Sequence, residues 1–116
     1  MIPTANNSRE WAYDFGCDQS LEDVLDHFNQ AGPWAWTGRD SYIEGNYLNS
    51  RPVDGVRIKV NQYPQAFITD RKGSGYSALI RTDSDDVEFR LGLDQKLKRL
   101  LELIDAKDVV AIDVYD

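Results

Sequence analysis

The sequence is short of the residues on which most catalytic and metal sites depend, with one cysteine, Cys17, and one histidine, His27, among 116 residues. A lone cysteine cannot form an internal disulfide, which agrees with a reducing compartment and predicts a cytoplasmic location. No apolar run approaches the roughly 20 residues of a membrane span. Residues 1–8 have neither the basic start nor the apolar stretch of a signal peptide. We therefore expect a protein without membrane contact.

The same shortage limits nucleophilic and metal chemistry. A nucleophilic cysteine needs a neighbouring base, and Cys17 and His27 could form such a pair only if the fold brought them together. The favoured interpretation is a small apolar thiol and a histidine at the border of a helix face. One histidine and one cysteine cannot form a structural zinc site. We expect no catalytic residue, no metal site and no cofactor.

Two further motifs fall short of a binding site. Asp83 and Asp85 stand at the first two ligand positions of a calcium loop, but Val87 and Glu88 follow where a third oxygen ligand and a glycine are needed. The Gly-Ser-Gly segment at 73–75 leads into a predicted strand, whereas a phosphate cradle leads into a helix. The first motif predicts a solvated turn, and the second predicts the tip of a hairpin.

Negative charge is what the sequence has in excess, because 20 acidic and 13 basic residues give a net charge of −7. The excess lies in the first half: residues 1–54 carry 9 acids and 3 bases, while residues 55–116 carry 11 acids and 10 bases. A negative field opposes nucleic acid and anionic membranes and favours a basic protein partner. A charged surface that only keeps the protein in solution would explain the same numbers.

The first regular element is predicted to be a helix. Residues 1–19 are interpreted as an irregular N-terminal arm with two anchors, Trp11 and Phe15. Ser20 is a good helix N-cap, and the helix that follows it ends at Gly32. The apolar face of this helix has the spacing i, i+3, i+4, i+7 and comprises Leu21, Val24, Leu25 and Phe28.

The rest of the chain alternates short strands with one more helix, and residues 1–116 are expected to form a single domain. The second helix is predicted over residues 93–106, with an apolar stripe of Leu93, Leu97, Leu100, Leu101 and Ile104. Consecutive strands with short turns predict an α+β fold, a two-layer sandwich with a mainly antiparallel sheet of four to six strands and two helices on one face. Strands are predicted at residues 34–36, 42–48, 56–60, 66–69, 76–82, 87–91 and 109–114, the last of them buried.

The segment 32–48 concentrates tryptophan, tyrosine and arginine, the residue types that dominate protein interfaces. A strand would place Trp34 and Trp36 on the same face, so both are core side chains or both lie on the surface. Arg39 and Asp40 form either a structural ion pair or part of a binding site. The predicted partner-binding residues join this segment to the acids of the first helix: Glu22, Asp23, Asp26, Trp34, Trp36, Arg39, Asp40, Tyr42 and Glu44.

The same segment carries a family resemblance. The residues Gly32-Pro33-Trp34-x-Trp36, Arg39-Asp40-Ser41, Gly45-x-Tyr47-Leu48 and Gly55-Val56-Arg57-Ile58 resemble those of small single-domain bacterial proteins of unassigned function. This resemblance covers about residues 20–116. In size, acidity and α+β layout the chain is also similar to immunity proteins that neutralise toxins delivered between bacteria. Neither resemblance implies a catalytic residue.

The favoured hypothesis is a non-enzymatic cytosolic binding protein, an immunity-type inhibitor of a basic toxin enzyme, expected to be a monomer or weak homodimer. The acids of the first helix would steer the partner, since opposite potentials raise association rates. Two alternatives stay open. One is a small enzyme or ligand-binding domain with a cleft near Arg39, Asp40 and Glu44. The other is a self-associating subunit whose exposed sheet edge pairs with a copy of itself.

Overall fold

The computed structural model describes residues 2–41, 45–62 and 74–114. Within these ranges the chain forms six strands and two helices, which confirms the predicted α+β class. In chain order the elements are β1 (Glu10–Cys17), α1 (Leu21–Ala31), β2 (Thr37–Ser41), β3 (Gly45–Ser50), β4 (Val56–Gln62), β5 (Ser74–Thr82), α2 (Val87–Leu103) and β6 (Lys107–Ile112).

The six strands form one sheet in the order β2-β3-β4-β5-β1-β6, and every neighbouring pair is antiparallel. Strands β2 to β5 follow one another as a meander, because each pairs with the next strand along the chain. Both helices pack on one face of this sheet. Val24 and Phe28 of α1 and Leu97 of α2 share a core cluster with Trp11 and Ile80 of the central strands.

The expectation of an irregular arm over residues 1–19 is wrong for its second half. Glu10–Cys17 is strand β1, which lies between β5 and β6 near the centre of the sheet. Trp11, Phe15 and Cys17 are buried and alternate with less buried residues, so a period-two pattern was present in the sequence. The partners of β1 lie far along the chain, and no local turn signals such a pairing.

Three strand predictions need correction. The strand expected at 34–36 begins only at Thr37, and the one expected at 42–48 is described from Gly45 onward, as β3. Residues 87–91 are the first turns of α2 rather than a strand, because Asp86 caps this helix by accepting a hydrogen bond from the backbone N–H of Glu88 at 3.1 Å. The strand predicted at 66–69 lies outside the described residues.

The last strand is where expected but is not buried. Strand β6 covers Lys107–Ile112 and, among the described strands, pairs with β1 alone, so it forms one edge of the described sheet. Val109 is 38% exposed and Val110 is 51% exposed. A β-branched sequence is typical of strands in general, so it could not distinguish an edge strand from a central one.

The local predictions with the strongest periodicity are confirmed. The Ser20 side chain caps α1 by accepting a hydrogen bond from the backbone N–H of Asp23 at 3.2 Å, and the helix ends before Gly32, whose φ is +60°. Strand β4 contains the predicted residues 56–60, and β5 contains 76–82. The apolar stripe predicted for the second helix is buried throughout: Leu93, Leu97, Leu100, Leu101 and Ile104.

A buried carboxylate joins α2 to β1. Asp94 Oδ1 accepts hydrogen bonds from Trp11 Nε1 at 2.8 Å and from the Tyr13 hydroxyl at 2.6 Å, and Lys98 Nζ lies 3.1 Å from Asp94 Oδ2. Burial raises the pKa of Tyr13 well above its ordinary range, and the hydrogen bond to Asp94 and the charge of Asp94 raise it further. Tyr13 therefore stays neutral and remains a hydrogen-bond donor.

Candidate functional site

A concave surface that includes predicted site residues lies between α1 and the strands β2 and β3. This cavity, called the α1–β3 groove below, has a volume of about 350 Å³. Among the described residues, two of the predicted partner-binding residues, Glu22 and Arg39, line it. The described residues of the lining are Leu21, Glu22, Leu25, Gly38, Arg39, Asn46, Tyr47 and Leu48.

The floor of the α1–β3 groove is apolar because of the way the helix meets the strands. Leu21 and Leu25 are one turn apart on α1, so they lie on one side of the helix, and both are half-buried. Gly38 of β2 stands opposite the buried Leu48 of β3. A Cβ atom at Gly38 would lie 3.7 Å from Leu25 Cδ2, so the glycine leaves space beside the leucine.

The helix beside the groove is acidic, and one of its acids, Glu22, lines the groove. Glu22, Asp23 and Asp26 are all exposed on α1, and within the described part of the chain none of them forms a salt bridge. Glu22 and Asp26 are four residues apart and therefore lie on the same side of the helix. Glu22 and Asp23 are stabilised by the positive end of the helix dipole, and Asp26 less so. The three carboxylates are thus available to a partner.

Trp34 and Trp36 are core side chains, so the expectation that they anchor a partner is wrong. They are 7% and 4% exposed, and their ring centroids are 6.3 Å apart. Trp36 also packs on Phe28 of α1 at 4.9 Å. The loop that carries them is fastened to the helix, because the backbone N–H of Trp36 donates to Asn29 Oδ1 at 2.8 Å and Asn29 Nδ2 donates to the Trp36 carbonyl at 3.1 Å.

The remaining predicted site residues fall into two groups. Arg39 is exposed, stands opposite Tyr47 in the β2–β3 pairing and lines the groove with it. The backbone of Asp40 lies in β2 opposite Asn46. The side chain of Asp40 and the residues Tyr42 and Glu44 lie outside the described residues, so an Arg39–Asp40 ion pair stays a prediction.

Sequence reasoning missed the floor of the groove. The sequence places Leu21 and Leu25 on the apolar face of α1 and does not indicate Asn46 or Tyr47 as site residues. The available signal was the position of the two leucines at the edge of the apolar stripe of α1, where a side chain is half-covered rather than enclosed. Only the packing of α1 against β2 and β3 shows which neighbours they have.

The environment of Cys17 is unfavourable for a nucleophile. Its thiol is buried and donates a hydrogen bond to the Ile104 carbonyl at 3.4 Å. Burial raises the pKa of the Cys17 thiol, and the charges of Asp18 and Asp105 raise it further. His27 is exposed on α1. Among the described residues, no group of three or more His, Cys, Asp or Glu side chains is placed to hold a metal ion.

We expect the Cys17 thiol to react slowly in the folded protein. Because the thiolate is the reactive form, a buried thiol with a raised pKa should be labelled by an aromatic disulfide reagent at pH 8 far more slowly than in urea-unfolded protein. Cys17→Ser should keep the fold, since a hydroxyl can also donate to the Ile104 carbonyl. Rapid labelling without urea, or loss of a binding activity in a folded Cys17→Ser variant, would restore a role for the cysteine.

No protein-family model and no curated protein matches the sequence. Within the described part of the chain, no helix is long and apolar enough to cross a membrane. Function is therefore inferred from the α1–β3 groove and from the charges around it.

Proposed function

We propose that this protein is a non-enzymatic binding protein that captures a basic partner protein at α1 and the α1–β3 groove. The observation that carries the proposal is an acidic helix beside a groove with an apolar floor: Glu22 lines the groove, and Asp23 and Asp26 are exposed on the same helix. Interfaces commonly combine an apolar anchor in a pocket with a charged rim that selects the partner.

The two parts of this surface would contribute differently to binding. The carboxylates attract a basic surface over a distance, which mainly raises the association rate and depends on ionic strength. The groove would take one apolar side chain of the partner between Leu21, Leu25 and Leu48. Full burial of such a side chain contributes about 1.5–3 kcal/mol, which mainly slows dissociation.

A toxin enzyme that acts on nucleic acid is one partner of suitable chemistry. Such an enzyme needs lysines and arginines to hold phosphates, and an acidic inhibitor surface can occupy those side chains. The small size and the net charge of −7 agree with an immunity-type inhibitor. The alternative of a small enzyme or ligand-binding domain would use a cleft near Arg39, Asp40 and Glu44. Of these three residues, Arg39 is the one that lines the groove among the described residues.

Self-association is a second candidate function, because strand β6 exposes an edge. Val109 and Val110 are uncharged and exposed there, which favours pairing with another strand. The pairing of β6 with β1 shifts register between Asp14 and Gly16, and Asp108 has a φ of +54°. Such an irregularity shortens the regular edge and hinders edge-to-edge pairing. We therefore expect at most a weak dimer through this edge.

The charge of α1 can be tested with the triple variant Glu22→Lys, Asp23→Lys, Asp26→Lys. A fluorescein-labelled hexapeptide of alternating lysine and leucine serves as the basic, apolar probe, and stopped-flow fluorescence anisotropy gives its association rate. We expect the triple variant to associate at least about tenfold more slowly than the wild type at 20 mM salt, and the difference to shrink at 500 mM salt.

The matched control changes the net charge equally at three exposed acids away from the groove, as Asp85→Lys, Glu102→Lys, Asp113→Lys. A local role for α1 requires this control to retain most of the association rate. Equal slowing in both variants would show that only the net charge acts. An unchanged rate in the α1 variant at every salt concentration would exclude the steering role.

A second variant separates the groove from the charge. Gly38→Val adds a side chain beside Leu25 and partly fills the groove, and a β-branched residue is compatible with a strand. We expect faster dissociation of the probe from this variant at 500 mM salt, where the charge contribution is screened. An unchanged dissociation rate would place the apolar contact elsewhere.

A further inference from the structure

The face of the sheet opposite the helices carries a cluster of cations, although the protein as a whole is acidic. Ile58 and Ile80 are fully buried in the core. Successive strand residues point to opposite faces, so Arg57, Lys59 and Arg81, their neighbours in sequence, lie on the outer face. These three residues, Arg57, Lys59 and Arg81, are called the outer basic face.

Two of these cations stand directly opposite each other. Arg57 of β4 is the register partner of Arg81 of β5, and like charges in this position destabilise a sheet. Arg81 is compensated by Glu10 on its other side, with Nε 3.4 Å from Glu10 Oε2. Arg57 Nε donates to the neutral Asn49 Oδ1 at 3.1 Å, and Arg57 has no salt bridge among the described residues. Within the described part of the chain, the positive charge of the pair is therefore only partly compensated by a salt bridge.

A hollow of about 450 Å³ adjoins this pair. Arg51, Arg57 and Arg81 line it, with Asp54 and Asp83 from the neighbouring turns. The Arg81 side chain is 70% exposed. Arginine binds carboxylates in a two-pronged geometry that combines charge with direction, and three arginines around one hollow can hold carboxylates even beside two aspartates.

We infer that the outer basic face binds an acidic segment of a partner protein, with carboxylates of that segment on Arg57 and Arg81. Nucleic acid fits less well, because single strands are held by bases stacked on aromatic rings. Tyr47 is the aromatic side chain that the described strands place on this face, and Lys59 Nζ already lies over its ring, 4.6 Å from the centroid.

This surface is independent of the proposed function. The outer basic face and the α1 carboxylates lie on opposite sides of the sheet and attract partners of opposite charge. If one surface fails to bind its probe, the proposal for the other surface still stands. Each surface is tested with its own variant and control.

The test uses fluorescein-labelled hexaglutamate as the acidic probe, with affinity measured by fluorescence anisotropy at 20 mM salt. The double variant Arg57→Gln, Arg81→Gln is compared with Lys96→Gln, Arg99→Gln, which removes two exposed cations from α2 on the other side of the protein. We expect the outer-face variant to bind about tenfold more weakly than the wild type, and the α2 control to change by less than about twofold.

Stability gives a second readout that separates binding from structure. Removing two like charges that face each other should leave the urea midpoint unchanged or raise it. A lowered midpoint would assign the arginines to holding the sheet together and overturn the inference.

Three other outcomes would also overturn the inference. The first is equal affinity of the two double variants for hexaglutamate. The second is that a labelled thymidine hexanucleotide binds the wild type as tightly as hexaglutamate does and that the outer-face variant loses this binding. That result would make the outer basic face a nucleic-acid surface. The third is a dimer in analytical ultracentrifugation that disappears in the outer-face variant, which would make the occupant a second copy of this chain. Weaker hexaglutamate binding by the outer-face variant alone, with an unchanged urea midpoint, supports an acidic protein segment.

Discussion

Replacing Asp94 by alanine is expected to lower the free energy of unfolding by about 3–5 kcal/mol. The Asp94 side chain is 9% exposed and accepts hydrogen bonds from Trp11 and Tyr13 through the same oxygen. Alanine would leave both donors buried without an acceptor and would open a space between α2 and β1. Urea unfolding followed by tryptophan fluorescence measures the effect.

The control for this prediction is Asp94→Asn, which keeps an oxygen where Trp11 and Tyr13 donate but loses the charge. The ion pair with Lys98 is largely lost in this variant, and it contributes little because the Lys98 side chain is 54% exposed. We expect a cost of about 1 kcal/mol for asparagine. Equal stability of the alanine variant and the wild type would show that the buried hydrogen bonds do not stabilise the fold.

Replacing Leu97 by alanine is expected to cost about 2–5 kcal/mol, the range for truncation of a packed aliphatic side chain. Leu97 is 0% exposed and lies in the middle of the apolar stripe of α2. The removed methyl groups leave a cavity between the helix and the sheet that the surrounding side chains fill only in part. The same urea unfolding experiment gives the free energy difference.

Leu91 provides a matched control on the same helix, because it is 39% exposed. Leu91→Ala should change the free energy of unfolding by less than about 0.5 kcal/mol, as is usual for exposed positions. A similar small loss for Leu97→Ala, together with one for Leu101→Ala, would mean that α2 is not held by the core.

The elements predicted from the sequence are those specified by nearby residues. The N-cap at Ser20 and the spacing of Val24 and Phe28 define α1, and both signals lie within three turns of chain. The apolar stripe that includes Leu97 likewise predicts that α2 packs on the core, and its residues also lie close together in the chain. Alternation over residues 56–60 defines β4. The boundaries of α2 were less accurate, because the cap at Asp86 lies in a cluster of acids that also fits a solvated turn.

The candidate site could be predicted only in part. The three α1 carboxylates were found because an amphipathic helix with a known apolar face also has a known exposed face. The two tryptophans were assigned ambiguously, because composition does not distinguish an interface aromatic from a core aromatic. Their burial depends on Phe28 and Asn29, which approach from the preceding helix. The outer basic face could not be predicted as one surface, because its cations come from two strands, β4 and β5, whose register the local sequence does not specify.

By itself the sequence determined the helices, the alternating strand β4 and the sign of the charge, because each depends on residues close together in the chain. The tertiary structure alone decided the place of β1 between β5 and β6, the exposure of β6 and the burial of Trp34 and Trp36. The tertiary structure also forms the α1–β3 groove and places Arg57 opposite Arg81. The physical reason is that strand order and burial depend on which distant segments pair, and one sequence pattern fits several such pairings.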